Sequence, residues 1–228
     1  ICEDKCTADV VNEECPVCSL EEADLALCAG EEVSELTVNV ELGGAGLYDE
    51  EQTIGDFTVT GGTHGQDYTY DSGARLLTIQ SSTEITIANT NQNTPTEDRI
   101  FVEANVNANI TLAGVNIDVS ATENTAAFKI ADNSTGNVTI TLADGKTNTL
   151  KSGNNCAGLQ KNGEYSENLG KLTITGTGTL TATGGEYGAG IGGGDSCDGS
   201  NSGAGIGGGS SSNIEISGGT VTATGGEN

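Results

Sequence analysis

The chain has 228 residues, with 33 acidic and 8 basic side chains and a formal net charge of −25. That balance argues against nucleic acid as a partner, because phosphate contacts need a basic surface, and against docking on anionic membranes. It suits cations, Ca²⁺ above all, which takes carboxylate and carbonyl oxygens.

Met and Trp are absent, Gly numbers 35 and aromatic residues make up 4%. With frequent Thr, Asn, Ser and Val, this composition points to strands and turns rather than helices. Disorder is the other outcome for a Gly-rich acidic chain, but apolar residues recur here in ordered alternation. No apolar run reaches transmembrane length, so no membrane insertion is expected. The chain starts on Ile1 without an apolar leader and reads as a mature or excised piece. Seven cysteines suggest an oxidising compartment or a metal site.

Residues 1–30 read as a Cys-rich module. Cys2, Cys6, Cys15, Cys18 and Cys28 staple a segment too short to bury a core. Ser19-Leu-Glu-Glu22 has the form of a capping box, which places a short helix from about Leu20 to Cys28. Disulfides are the expected use of these thiols, and a zinc site on Cys2, Cys6, Cys15 and Cys18 is the alternative. Five is an odd number, so one thiol is free, bonded elsewhere or lacks its partner. Residues 31–56 read as an acidic strand and linker: the first 56 residues hold 16 acids and one base, Lys5. Within them "ELTVNVEL" puts Leu36, Val38 and Val40 on one face of a strand.

From Phe57 to residue 228 the chain is written in repeats. "TEITIAN", "ANITLAGVNIDVSA", "GNVTITLADGKTNTL", "GKLTITGTGTLTATGG" and "SNIEISGGTVTATGG" align so that Ile87, Leu112, Leu142, Ile174 and Ile216 are equivalent. A second series runs "RIFVEA", "AAFKIAD", "CAGLQKN", "GAGIGGG", "GAGIGGG". Each unit is strand, turn, strand, turn, strand. Loosely spaced units of this size predict an all-β fold, a parallel β-helix whose coils stack Ile, Val, Leu and Ala inward and Thr, Asn and Lys outward. A β-sandwich is the alternative. At the last repeat, "TVTATGGEN", such a stack exposes an edge that a longer chain or a second copy would cover.

These repeats, together with "FTVTGG", "LLTIQSST" and "LTITGTGTLTATGGEYGAGIGGG", resemble the carbohydrate-binding-domain repeats of secreted bacterial (Firmicutes-type) surface proteins. The Cys-rich segment is similar to short linkers between modules of such proteins. The resemblance implies a right-handed parallel β-helix, related in shape to polysaccharide lyases, that binds plant polysaccharides and Ca²⁺ without established catalysis. It transfers no binding residue, because the matching positions are structural Gly, Thr and apolar ones.

The residues themselves supply the candidates. GAGIGG at Gly188–Gly193 and again at Gly203–Gly208 fits G-x-G-x-x-G. The first copy is followed by a poor helix former and the second by a strand signal, so a nucleotide cradle is not expected. Ala189, Ile191, Ala204 and Ile206 are expected to plug the core. Asp195 and Asp198, in the loop between the copies, are candidate Ca²⁺ ligands, as are Asp132 and Asp144 at turns; a solvated loop is the alternative. Cys156 and Cys197 are expected to meet at stacked corners as a disulfide.

Sugar binding wants aromatic rings at a concave site, and Tyr187 and Tyr165 lead the candidates ahead of Tyr48, Tyr68 and Tyr70. Catalysis finds little support. His64 is the one histidine, in a turn-like setting, and neither Arg75 nor Arg99 neighbours an evident carboxylate cluster. The expected role is a non-catalytic surface module that binds a polysaccharide or other glycan. A self-associating stalk or filament subunit comes second and a lyase-like enzyme third. Outward Thr ladders also resemble those of ice-binding solenoids.

Overall fold

The computed structural model describes residues 50–163, 169–194, 205–207 and 213–227, all within one compact unit, Leu47–Asn228. The expected Cys-rich module, its helix and the strand at Leu36–Val40 lie outside the described residues. The described residues are all β, with no helix.

In chain order the first nine strands are β1 Gln52–Ile54, β2 Phe57–Thr60, β3 Tyr68–Asp71, β4 Leu76–Ile79, β5 Glu84–Asn89, β6 Arg99–Val102, β7 Ala108–Leu112, β8 Asn116–Asp118 and β9 Phe128–Ile130. They are followed by β10 Val138–Leu142, β11 Thr147–Lys151, β12 Leu159–Lys161, β13 Leu172–Gly176, β14 Thr179–Thr183, β15 Ile191–Gly192, β16 Ile206–Gly207, β17 Ile214–Ile216 and β18 Thr220–Thr224. They form three sheets. The first has the order β1-β2-β5-β7-β10-β13-β17, the second β18-β14-β11-β8, and the third β16-β15-β12-β9-β6-β4-β3.

From β7 the chain visits the first, second and third sheet in turn, as β7-β8-β9, β10-β11-β12 and β13-β14-β15. Each strand of one round pairs in parallel with its equivalent in the next. These pairings are not those of an antiparallel sandwich. At the N-terminal limit the pattern changes. β1 pairs antiparallel with β2, β2 with β5, and β3 with β4. The first sheet therefore already includes Gln52–Ile54, upstream of Phe57.

The alternation of the sequence builds the core. Ile85, Ile110, Ile140 and Ile174 occupy one register column of the first sheet, and all four are buried. Leu77, Ile100, Phe128, Leu159 and Ile191 do the same in the third. Each such side chain contributes about 1.5–3 kcal/mol from removal of apolar area from water. Ile87, Leu112 and Leu142 share a column as expected, but Leu142 pairs with Gly176, and Ile174 and Ile216 continue the Ile140 column. The sequence alignment is thus two residues out for the last two repeats. A two-residue slip keeps the same side chains inward, so alternation alone does not detect it.

Close stacking also dictates corners. A Cβ on Gly153 would overlap the Thr122 carbonyl oxygen, and one on Gly185 would overlap that of Gly153. The two GAGIGGG copies meet as adjacent parallel strands, Ile191 opposite Ile206. Ile191 is fully buried, as expected, but Ile206 is 52% exposed. Its strand is the last of the third sheet, so among the described residues no strand lies beyond it. Ala204 lies outside the described residues.

Candidate functional site

The third sheet carries a groove of about 480 Å³ on its outer face. Alternation along β4, β6, β9, β12 and β15 sends one set of side chains inward and leaves Thr78, Phe101, Lys129, Gln160 and Gly192 in a single outward column. Phe101, Lys129 and Gln160 line the groove, with Arg99 at one side. A turn column also lines the groove, ahead of the N-terminal ends of β9 and β12. Asn124 and Asn155 both stand at left-handed φ, 56° and 66°. Backbone N of Asn124 donates to Asn154 O at 2.9 Å, and Asn155 Nδ2 donates to Asn124 Oδ1 at 2.9 Å. Asn tolerates this backbone because its short amide can bond locally.

Two of the seven basic residues beyond residue 56 face this groove, in a strongly acidic chain. Lys129 Nζ lies 2.9 Å from Asp132 Oδ2, and Arg99 donates to Ala74 O at 2.7 Å. Asn162 Oδ1 accepts Gly194 N at 2.9 Å. Cys156 closes the floor, and burial pushes its thiol up to about 11, against the pull of Lys129 and Arg99. Gln160 is buried, its Oε1 accepting Ala157 N at 3.3 Å, so the groove offers one aromatic ring, the Asn amides and two cations, a donor and acceptor set suited to a polyhydroxylated ligand.

A second charged cluster sits near the N-terminal limit. Arg75 Nε donates to Asp98 Oδ1 at 2.7 Å, and its other nitrogens reach Asp56 and Glu97 at 3.2 Å. The expectation that neither arginine neighbours a carboxylate cluster is therefore wrong for Arg75. The three carboxylates lie 19 to 23 residues away, a distance at which the sequence shows no motif. Asp98 also accepts from Tyr70 Oη at 2.9 Å and from Asp56 N at 2.7 Å. The Asp98 carboxylate is 2% exposed and fully engaged, so this cluster locks β3, β4 and β6 together.

The sequence candidates scatter. Asp132 lies on the groove, ion-paired to Lys129, while Asp144 accepts Thr177 Oγ1 at 2.7 Å between the first and second sheets. They do not meet. Among the described residues no group of three or more His, Cys, Asp or Glu converges as a metal site. Asp195, Asp198, Tyr165, Tyr48, Cys197, Cys2, Cys6, Cys15, Cys18 and Cys28 lie outside the described residues; Cys156, whose expected partner is Cys197, is buried. Cys156 is the one cysteine among the described residues.

Tyr68 is buried, with its hydroxyl 3.2 Å from Gln52 Oε1, and Tyr70 is tied to Asp98, so neither offers a ring face to a groove. His64 packs against the Tyr68 ring at 5.6 Å. Tyr187 is half-buried at a turn. The residues that sequence reasoning missed are Phe101, Lys129 and Gln160. Their signal is present in the second repeat series, where each follows directly on the inward apolar residue.

No family model, curated protein or solved structure matches the chain.

Proposed function

We propose that this chain is a non-catalytic carbohydrate-binding module of a secreted bacterial surface protein, and that its three sheets wind as a right-handed parallel β-helix. A polysaccharide lies in the groove on the third sheet. The observation that carries this reading is Phe101, an aromatic ring on an outward position, in a groove it shares with Lys129 and the paired amides of Asn124 and Asn155. Sugar rings stack on aromatic faces through their C–H edges and bond planar amides through their hydroxyls. The resemblance of the repeats to carbohydrate-binding-domain proteins supports the same reading. Ca²⁺, where it assists, is held by Asp195 and Asp198.

Binding of the full chain to a glycan array, with and without EDTA, tests this. The expected result is retention of one polysaccharide class by the wild type and its loss in Phe101→Ala. An unaltered profile in that variant overturns the groove as the site. EDTA sensitivity separates a Ca²⁺-assisted contact from a metal-free one.

A second reading, a stalk or filament subunit, has one observation behind it. Ile206 and Ile216 are 52% and 37% exposed on β16 and β17, the last strands of their sheets. A second copy stacked there would bury both. Light scattering over a range of concentrations checks it, and a monodisperse monomer removes this reading.

A further inference from the structure

The groove holds one buried donor that the fold itself does not satisfy. Gln160 lines it and is 5% exposed. Its Oε1 accepts Ala157 N at 3.3 Å, and a Cβ on Gly194 would stand 2.6 Å from the same oxygen. The oxygen half of the amide is therefore engaged and covered by backbone. Nε2 meets no acceptor among the described residues. A hidden carboxamide nitrogen left in that state is costly, and native folds keep one where a water or a ligand completes it.

The same groove is walled by small and apolar groups. Ile100, Ala126 and Cys156 line it and are buried, and burial keeps the Cys156 thiol neutral. The two cations are engaged at its rim, Lys129 with Asp132 and Arg99 with Ala74 O. An anion gains little from a single neutral donor among apolar walls and loses its hydration there. A bare sugar hydroxyl satisfies Nε2 but leaves those walls without an apolar counterpart. An acetamido group supplies both parts, a carbonyl oxygen to accept and a methyl to cover the walls. Its N–H also has a place to go. Asn155 Nδ2 donates to Asn124 Oδ1 at 2.9 Å, which leaves Asn155 Oδ1 as an acceptor.

We infer that the groove takes an N-acetylated sugar: Gln160 Nε2 donates to the acetamido carbonyl oxygen, Ala126 and Cys156 receive the methyl, and Phe101 stacks on the neighbouring sugar unit. The inference rests on the glycan-binding reading above and names its substrate class. Phe101, Lys129 and Gln160 stand on successive rungs, so the ring and the amide are two strand spacings apart, about 10 Å. That is roughly the length of two glycosyl units, which makes a disaccharide the smallest complete ligand.

Calorimetry on the full chain compares N-acetyl-chito-oligosaccharides with cello-oligosaccharides of two to six units. The two series share one backbone and differ in the acetamido group. The wild type is expected to bind the N-acetylated series about tenfold more tightly. Gln160→Glu keeps an oxygen for Ala157 N and removes the NH₂ donor, and Gln160→Met removes both polar atoms at similar length. Each should bring the N-acetylated series down to the level of the cello series and leave the latter unchanged. Thermal melts show which variants are folded. Saturation-transfer NMR, which needs only the wild type, should find the strongest contact at the acetyl methyl protons.

A wild type that does not prefer the N-acetylated series overturns the inference, as does a preference that survives in a folded Gln160 variant or saturation spread evenly over the sugar. The Phe101 groove stands in each case where Phe101→Ala loses binding. If the wild type binds neither series, the glycan array decides. Retention of acetamido glycans alone keeps the inference. Retention of a polysaccharide without them removes it and spares the groove reading, and retention of nothing removes both.

Discussion

Asp98 is where the fold is most exposed to a single change. Its carboxylate is 2% exposed and accepts from Arg75 Nε, Tyr70 Oη and Asp56 N. Asp98→Ala strands all three donors. Arg75 keeps Asp56 and Glu97 at its solvent-facing nitrogens, so the guanidinium itself is not left without a partner. Tyr70 and the Asp56 amide lose a charged acceptor in a place where water reaches poorly. Each part-buried donor left without its acceptor costs about 1–3 kcal/mol, so about 2–5 kcal/mol in all. In a unit that spans Leu47–Asn228, each kcal/mol lowers the melting temperature by about 2–4 °C, so a drop on the order of 10 °C is expected. Glu97→Ala is the internal comparison. That side chain is 66% exposed, and its loss should cost no more than about 0.5 kcal/mol. Thermal and urea melts of both variants, with unchanged urea slopes, read the difference. If Asp98→Ala melts within a degree or two of Glu97→Ala, the network is an ordinary surface cluster and the reasoning fails.

Gly153→Ala should destabilise by about 1–3 kcal/mol, because its Cβ has only backbone to displace. Gly73→Ala, whose nearest neighbour would be Asp71 Oδ1 at 3.3 Å, should stay within about 0.5 kcal/mol of wild type; urea titration compares the two. Burial and the Asp98 carboxylate push the Tyr70 phenol up to about 12 from its ordinary value of 10.0. A folded-state value above the unfolded one means this contribution is whole below about pH 10 and is lost as pH rises towards 12. Melts across that window should fall more steeply for wild type than for Tyr70→Phe. Phe101→Ala, which opens no hole in the inward columns, should keep the melting temperature within a few degrees while abolishing retention on the array.

The inward half of this fold is legible because period two and apolar alternation are local signals. Ile87, Leu112 and Leu142 could be matched from their neighbours alone, and so could the series that became the third sheet. What fails is anything that depends on which residue stacks on which. Leu142 meets Gly176 rather than Ile174, and the local pattern is the same either way. Lys161, which the polar-outward rule sends to solvent, takes the inward place after Val102 and Ile130 and is buried, and burial holds its ammonium below the usual lysine range. The Arg75 cluster joins three separate turns, so no window of sequence contains it. Among the tyrosines, burial decided against Tyr68 and hydrogen bonding against Tyr70, and neither property is visible before the coils are stacked.

Equivalent positions in a stacked fold can be compared with one another. In the second sheet, Thr147, Thr179 and Thr220 form one outward column, and Thr149, Thr181 and Thr222 form the next. Like residues on like rungs pack well across parallel strands and need no other explanation. The outward column of the third sheet is Thr78, Phe101, Lys129, Gln160 and Gly192, five chemistries on five rungs. The second sheet has a mixed outward column too, Asp118, Lys151, Thr183 and Thr224, so variety alone does not mark a site. In the third sheet one inward column is apolar from Leu77 to Ile191, and the other runs Ile79, Val102, Ile130 and then Lys161. On the glycan-binding reading proposed above, the contact surface runs along β6 and β9, where Phe101 and Lys129 stand half-buried on the outward side.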